Sequence, residues 1–89
     1  MQWKVKLSRS AEKFIDKNQI TKKEVFALTR KAIQFFKAKD INVDIAKLKG
    51  KWKGFYRIRK GDLRIIAEFD FENSAVFIEE VDNRGSVYE

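Results

Sequence analysis

The stretch from Phe55 to Phe69, FYRIRKGDLRIIAEF, constrains this chain more than any other. β-Branched and aromatic residues alternate with charged ones on either side of a glycine, the pattern of two strands joined by a tight turn. A two-residue loop at Lys60-Gly61 sets Arg59 opposite Asp62, Ile58 opposite Leu63, Arg57 opposite Arg64 and Tyr56 opposite Ile65. Strand side chains alternate faces. Tyr56, Ile58, Leu63, Ile65, Ala67 and Phe69 therefore share one face, and Arg57, Arg59 and Arg64 the other. A slip of one residue mixes apolar and charged side chains on both faces, so the register is well determined. Arginines directly opposite each other destabilise a sheet. Either something anionic compensates them, or the face is simply a solvated basic surface.

Charge along the chain is uneven. Residues 47–64 carry Lys47, Lys49, Lys51, Lys53, Arg57, Arg59, Lys60 and Arg64 against Asp62 alone, a net +7. Residues 65–89 carry Arg84 against seven carboxylates, a net −6. A concentrated basic segment is the footprint of a polyanionic partner. With 89 residues the sequence reads as one domain, 1–89, and its 44% hydrophobic content argues against disorder. It has neither Cys nor His. Disulfides, thiolate metal sites and the commonest general base are thereby excluded, and no metal or cofactor is expected. No apolar run reaches the roughly 18 residues of a membrane span, and no signal-peptide core is visible, so a reducing cytoplasm fits and no membrane association is expected.

Around the hairpin, Trp3, Val5 and Leu7 alternate with polar residues as a half-buried strand. Ser8 or Ser10 can cap a short helix whose inner face is Ala11, Phe14 and Ile15. Thr21 and Glu24 form a capping box ahead of a helix to about Lys39, with Val25, Leu28, Ala32 and Phe35 or Phe36 inward. Phe26 and Ile33 make a flanking stripe suited to helix-to-helix packing. Asp40 to Asp44 reads as a connection. The segment from Lys47 to Gly54 interleaves Lys47, Lys49, Lys51 and Lys53 with two glycines and Trp52. Such a loop can wrap a phosphate backbone while Trp52 stacks on a base; alternatively it is a solubilising loop whose Trp52 folds back on the core. A last strand from Val76 to Val81 places Val76 and Ile78 inward and Phe77, Glu79 and Val81 on the arginine face.

The resulting order, β-α-α-β-β-β, predicts an α+β fold with two N-terminal helices on one face of a twisted antiparallel sheet. The arginines then lie on the other, open face, carried by rigid strands.

Four groups of residues make the chain similar to the RelE/ParE superfamily of toxin–antitoxin toxins. They are Ser8-Arg9-Ser10-Ala11-Glu12-Lys13-Phe14 after the first strand, Ala46-Lys47-Leu48-Lys49-Gly50, the hairpin, and the ending Val81-Asp82-Asn83-Arg84-Gly85-Ser86-Val87-Tyr88. The resemblance covers nearly the whole chain and implies the small RNase-like α+β domain of that family. It also implies the RelE activity: ribosome-dependent cleavage of messenger RNA in the A site, by attack of the ribose 2′-hydroxyl on the adjacent phosphate to give a 2′,3′-cyclic phosphate. Carried over, Arg57 and Arg59 match the basic pair, which in RelE are lysines. Arg64, Arg84 and Tyr88 match the arginine of the next strand, the late arginine and the terminal tyrosine. Arg64 and Arg84 are the candidates for phosphate stabilisation, since a guanidinium is a planar, permanently charged donor. Tyr88 is placed to stack on a base or to share in proton transfer. An arginine cannot act as a base, which leaves Tyr88, Glu68 or Glu79 for the 2′-hydroxyl proton.

The implied partners are a cognate antitoxin, the ribosome and messenger RNA, with the toxin itself a monomer. The antitoxin should bring acidic residues to the basic face and apolar anchors to a groove beside the helices. The alternatives are a ParE-like inhibitor of DNA gyrase with no catalysis of its own, and a family member that keeps the fold and has lost the chemistry.

Overall fold

The computed structural model describes residues 3–18, 20–38 and 41–83. It contains β1 (Lys4–Leu7), α1 (Arg9–Lys17), α2 (Lys22–Ala38), β2 (Asp44–Lys47), a 3₁₀ turn (Gly50–Trp52), β3 (Phe55–Lys60), β4 (Leu63–Asp70) and β5 (Ala75–Asn83). The expected α+β architecture is present, with one strand more than the sequence pattern indicated. Asp44, read as connection, begins β2, because Ile45 and Ala46 pair with Ile58 and Arg57.

Local chemistry starts the helices where expected. Ser8 caps α1, accepting the Ala11 N–H at 3.0 Å. Thr21 accepts the Glu24 N–H at 3.1 Å ahead of α2. The helices bury Ala11, Ile15, Val25, Leu28, Ala32 and Ile33. Thr29 is buried too, its hydroxyl donating to the Val25 carbonyl one turn back at 2.8 Å. Phe36 stands edge-on to Tyr56, Phe69 and Phe71, with ring centroids 5.1–5.2 Å away. Phe26 and Ile33 face a groove shared with Trp3 and Val5 of the N-terminal segment.

The sheet runs β1-β5-β4-β3-β2. From β2 to β5 it is the expected antiparallel meander, but β1 joins the far edge parallel to β5, so the whole sheet is mixed. α1 packs on β5 and α2 on β3. Both helices cover the face carrying Ile58, Ile65, Ala67, Val76, Ile78 and Val81, all buried.

Two details of register differ from the sequence reading. The β3–β4 turn is Gly61-Asp62, not Lys60-Gly61, so Ile58 opposes Ile65, Arg59 opposes Arg64 and Arg57 opposes Ile66. Gly61 has φ +59 at the first central position, where a type II′ hairpin turn requires glycine. This shift is two residues, so every side chain keeps its face. The second detail is a β-bulge. Ile66 pairs with Glu80 but Ala67 with Ile78, which leaves Glu79 as an extra residue in β5. Beyond it the alternation inverts. Val81, expected among the arginines, opposes Ile65 and is buried; Glu80 and Asp82 take the open face instead.

Candidate active face

Strand register builds the open face row by row. One row crosses four strands, running Asp44 on β2, Arg59 on β3, Arg64 on β4 and Asp82 on β5. Two cations sit between two anions. Opposite charges directly across a sheet attract, so the outer carboxylates offset the repulsion between Arg59 and Arg64. The next row holds Ala46, Arg57, Ile66 and Glu80. A third sets Phe55, Glu68, Phe77 and Lys6 side by side. Phe77 lies on this face as expected and is 36% exposed.

Side-chain contacts follow the rows. Arg59 donates from Nε and Nη2 to Asp44 Oδ2 at 3.0 and 2.9 Å. Arg57 Nη2 reaches the other oxygen, Asp44 Oδ1, at 3.5 Å. Arg64 Nη2 donates to Asp82 Oδ2 at 3.2 Å. All five partners keep part of their surface in water, and ion pairs of that kind contribute about 0.2–1 kcal/mol each. Another anion can therefore compete for the guanidiniums.

Arg57, Arg59 and Arg64 are thus brought together, as the sequence indicated, although the facing pair is Arg59 with Arg64. Arg84 and Tyr88 lie outside the described residues. Lys47 lies on β2, and Lys49, Lys51 and Lys53 on and around the 3₁₀ turn, all exposed. Among the described residues, no carboxylate is within ion-pair distance of these four lysines. Trp52 is half-buried, its ring edge-on to Phe55 at 5.3 Å. The loop is closed by the Leu48 N–H donating to the Phe55 carbonyl at 3.0 Å.

Sequence reading missed Asp44 and Asp82 as members of this face. Asp44 was hidden because a four-residue edge strand carries little periodicity, Asp82 because the bulge reverses its side. Of the candidate bases, Glu68 is on the open face and exposed; Glu79 is the bulge residue, half-buried, with its carbonyl accepting the Ser8 hydroxyl at 2.7 Å. At the other end of β4, Asn73 donates to Asp70 through its side chain (2.9 Å) and its backbone N–H (3.2 Å), holding that carboxyl below its ordinary pKa.

No family model matches the chain, and no curated protein matches it significantly. Solved structures do. The chain superposes on RelE–RelB of Pyrococcus horikoshii with a TM-score of 0.56 and 24% identity, covering 96% of this chain and 98% of that one. The fold is that of the RelE-type toxins. The RelBE2 toxin–antitoxin complex of Mycobacterium tuberculosis gives a TM-score of 0.59 at 20% identity, over 94% of this chain and all of its counterpart. A conserved hypothetical protein of Helicobacter pylori gives 0.69 at 15%, over 98% and 100%. In this RelE-like fold, three guanidiniums stand on the side of the sheet away from the helices, and at its β2–β3 margin lies a lysine loop with no ion-pair partner among the described residues. That arrangement can grip a chain of phosphates. No described helix is long and apolar enough to cross a membrane.

Proposed function

We propose that this chain is the toxin of a type II toxin–antitoxin module and acts as a ribosome-dependent endoribonuclease that cleaves messenger RNA in the A site. The observation that carries this reading is the convergence of Arg57, Arg59 and Arg64 on the open face of a RelE-like fold. In the reaction, the ribose 2′-hydroxyl attacks the neighbouring phosphorus, the 5′-oxygen leaves, and a 2′,3′-cyclic phosphate forms. The phosphate gains negative charge in the transition state, and fixed donors aimed at that charge supply the catalysis. Arg64, with Arg84 from the chain's end, is assigned to this stabilisation; Arg57 and Arg59 hold the scissile phosphate, and Tyr88 stacks on a base or relays a proton. Lys47, Lys49, Lys51, Lys53 and Trp52 bind the flanking RNA. The proton from the 2′-hydroxyl needs an acceptor other than arginine, which the face offers as carboxylates and the ribosome as RNA.

An antitoxin with acidic side chains and an apolar anchor suits the groove between α2 and the β3–β4 turn, where Ala27, Leu28 and Leu63 lie beside Arg30 and Lys31.

Purified protein added to a reconstituted translation system, with primer extension on the message, tests the reading. We expect cuts within the A-site codon only when ribosomes are present, slowed about 10²–10³-fold by Arg64→Ala. Cleavage by that variant at the wild-type rate would remove Arg64 from the site.

A second reading is ParE-like poisoning of DNA gyrase, or retention of the fold without chemistry. The pairing of the arginines with Asp44 and Asp82 favours a face that binds rather than cuts. Intact message alongside double-strand DNA breaks would establish the gyrase branch.

A further inference from the structure

We infer that Asp44 is a built-in phosphate mimic, an internal anion that competes with the RNA backbone for Arg57 and Arg59 and so sets the affinity of the face. The inference rests on the nucleic-acid reading above, and it concerns a residue which that reading leaves without a role.

The geometry is that of an occupied oxyanion site. Both Asp44 oxygens are used: Oδ2 takes Nε and Nη2 of Arg59, and Oδ1 takes Nη2 of Arg57. A phosphodiester likewise offers two anionic oxygens on one atom, and guanidinium forks bind either group in the same way. The Arg57 contact is long at 3.5 Å, and its Nε has no hydrogen-bond partner among the described residues, so Asp44 does not saturate that guanidinium.

The two carboxylates of the row differ in how easily they yield. Asp82 is 27% exposed and sits within the nine-residue β5. Asp44 is 47% exposed and is the first residue of a four-residue edge strand. Its side chain can turn into solvent with no backbone hydrogen bond broken, leaving the two arginines fixed on β3. Exposed pairs of this kind are weak, while an RNA phosphate arrives with additional lysine contacts from the neighbouring loop. Displacement therefore favours a polyanion over an isolated phosphate ion. A protein with this device discriminates against scattered small anions without losing its grip on a nucleic-acid strand.

The test is fluorescence anisotropy with an uncleavable 2′-deoxy single strand, comparing wild type, Asp44→Asn, Arg59→Ala and the double variant. We expect Asp44→Asn to bind about threefold to fivefold tighter. Its plot of log affinity against log salt should steepen by about 0.7 for each guanidinium released. The gain should shrink when Arg59 is already alanine, since only the long Arg57 contact then remains for Asp44 to occupy. Equal or weaker binding by Asp44→Asn, with an unchanged thermal melt, would overturn the inference and make Asp44 a residue that positions the arginines. If Asp44→Asn melts lower, Asp44→Ser replaces it under the same criteria. Absence of binding by wild type and variants alike also overturns it. The nuclease reading is judged separately by primer extension, so A-site cuts with an unchanged Asp44→Asn affinity would sink this inference alone.

Discussion

Ser8 shows how much one hydroxyl can organise. It accepts the Ala11 N–H at the start of α1 and donates to the carbonyl of Glu79 in the β5 bulge. The bulge residue is left out of the ladder, and a carbonyl so stranded needs a partner. Ser8→Ala removes both bonds at once. We expect a loss of about 2 kcal/mol, part for the cap and part for the abandoned carbonyl, seen as a melting temperature about 10 °C lower. The cap itself was readable, since serine before an apolar periodic run is a local signal. Its second partner was not, because nothing near Ser8 in the chain points to a strand 71 residues away. Asp82 has the same history: its charge is visible in the sequence, but its side depends on a bulge that no single residue announces.

At the scale of the element, the β3–β4 hairpin separates what alternation can decide from what it cannot. Alternation fixes which residues share a face, and all three arginines are where it put them. It is blind to a shift of two, which is why the turn lies at Gly61-Asp62 and the facing cations are Arg59 and Arg64. The turn residue settles the matter physically. Gly61 sits at φ +59 with open space where a Cβ would be. Gly61→Ala therefore meets no clash, only backbone strain, and we expect it to cost about 1–2 kcal/mol in urea denaturation. In β5 a hint of the bulge was available. Val76 and Ile78 are two apart, but the next apolar residue, Val81, follows after three, with Glu79 and Glu80 between. A strict strand would have put Val81 among charges and Glu80 in the core.

For the molecule as a whole, the order of helices and strands was enough to give the α+β class, because amphipathic helices and a one-sided sheet have few ways to bury their apolar faces. The closing step was hidden. β1 pairs with β5, the last strand, through Val5 opposite Val76 and Leu7 opposite Ile78, while β2 to β5 pair with sequence neighbours. Contacts between distant parts of a chain carry the larger loop-closure cost and tend to form late. We expect Val5→Ala to leave the folding limb of a chevron nearly unchanged and to speed unfolding about tenfold. A slowed folding limb would show instead that the two ends of the chain meet early.

The bulge has a consequence for how this strand tolerates length changes. β5 is written in two phases, one on each side of Glu79, and the phases are joined by a single surplus residue. Deleting Glu79 restores a regular strand and leaves every other side chain on its present face: Ile78 and Glu80 become neighbours, one inward and one outward, and Val81 and Asp82 follow in phase. Deleting a residue on either side of the bulge, by contrast, turns the rest of that segment over. Most strand positions tolerate a substitution better than a change of length, but here one residue can be spared: both halves of β5 serve core and open face alike, and what Glu79 adds is the carbonyl that ties the strand to Ser8.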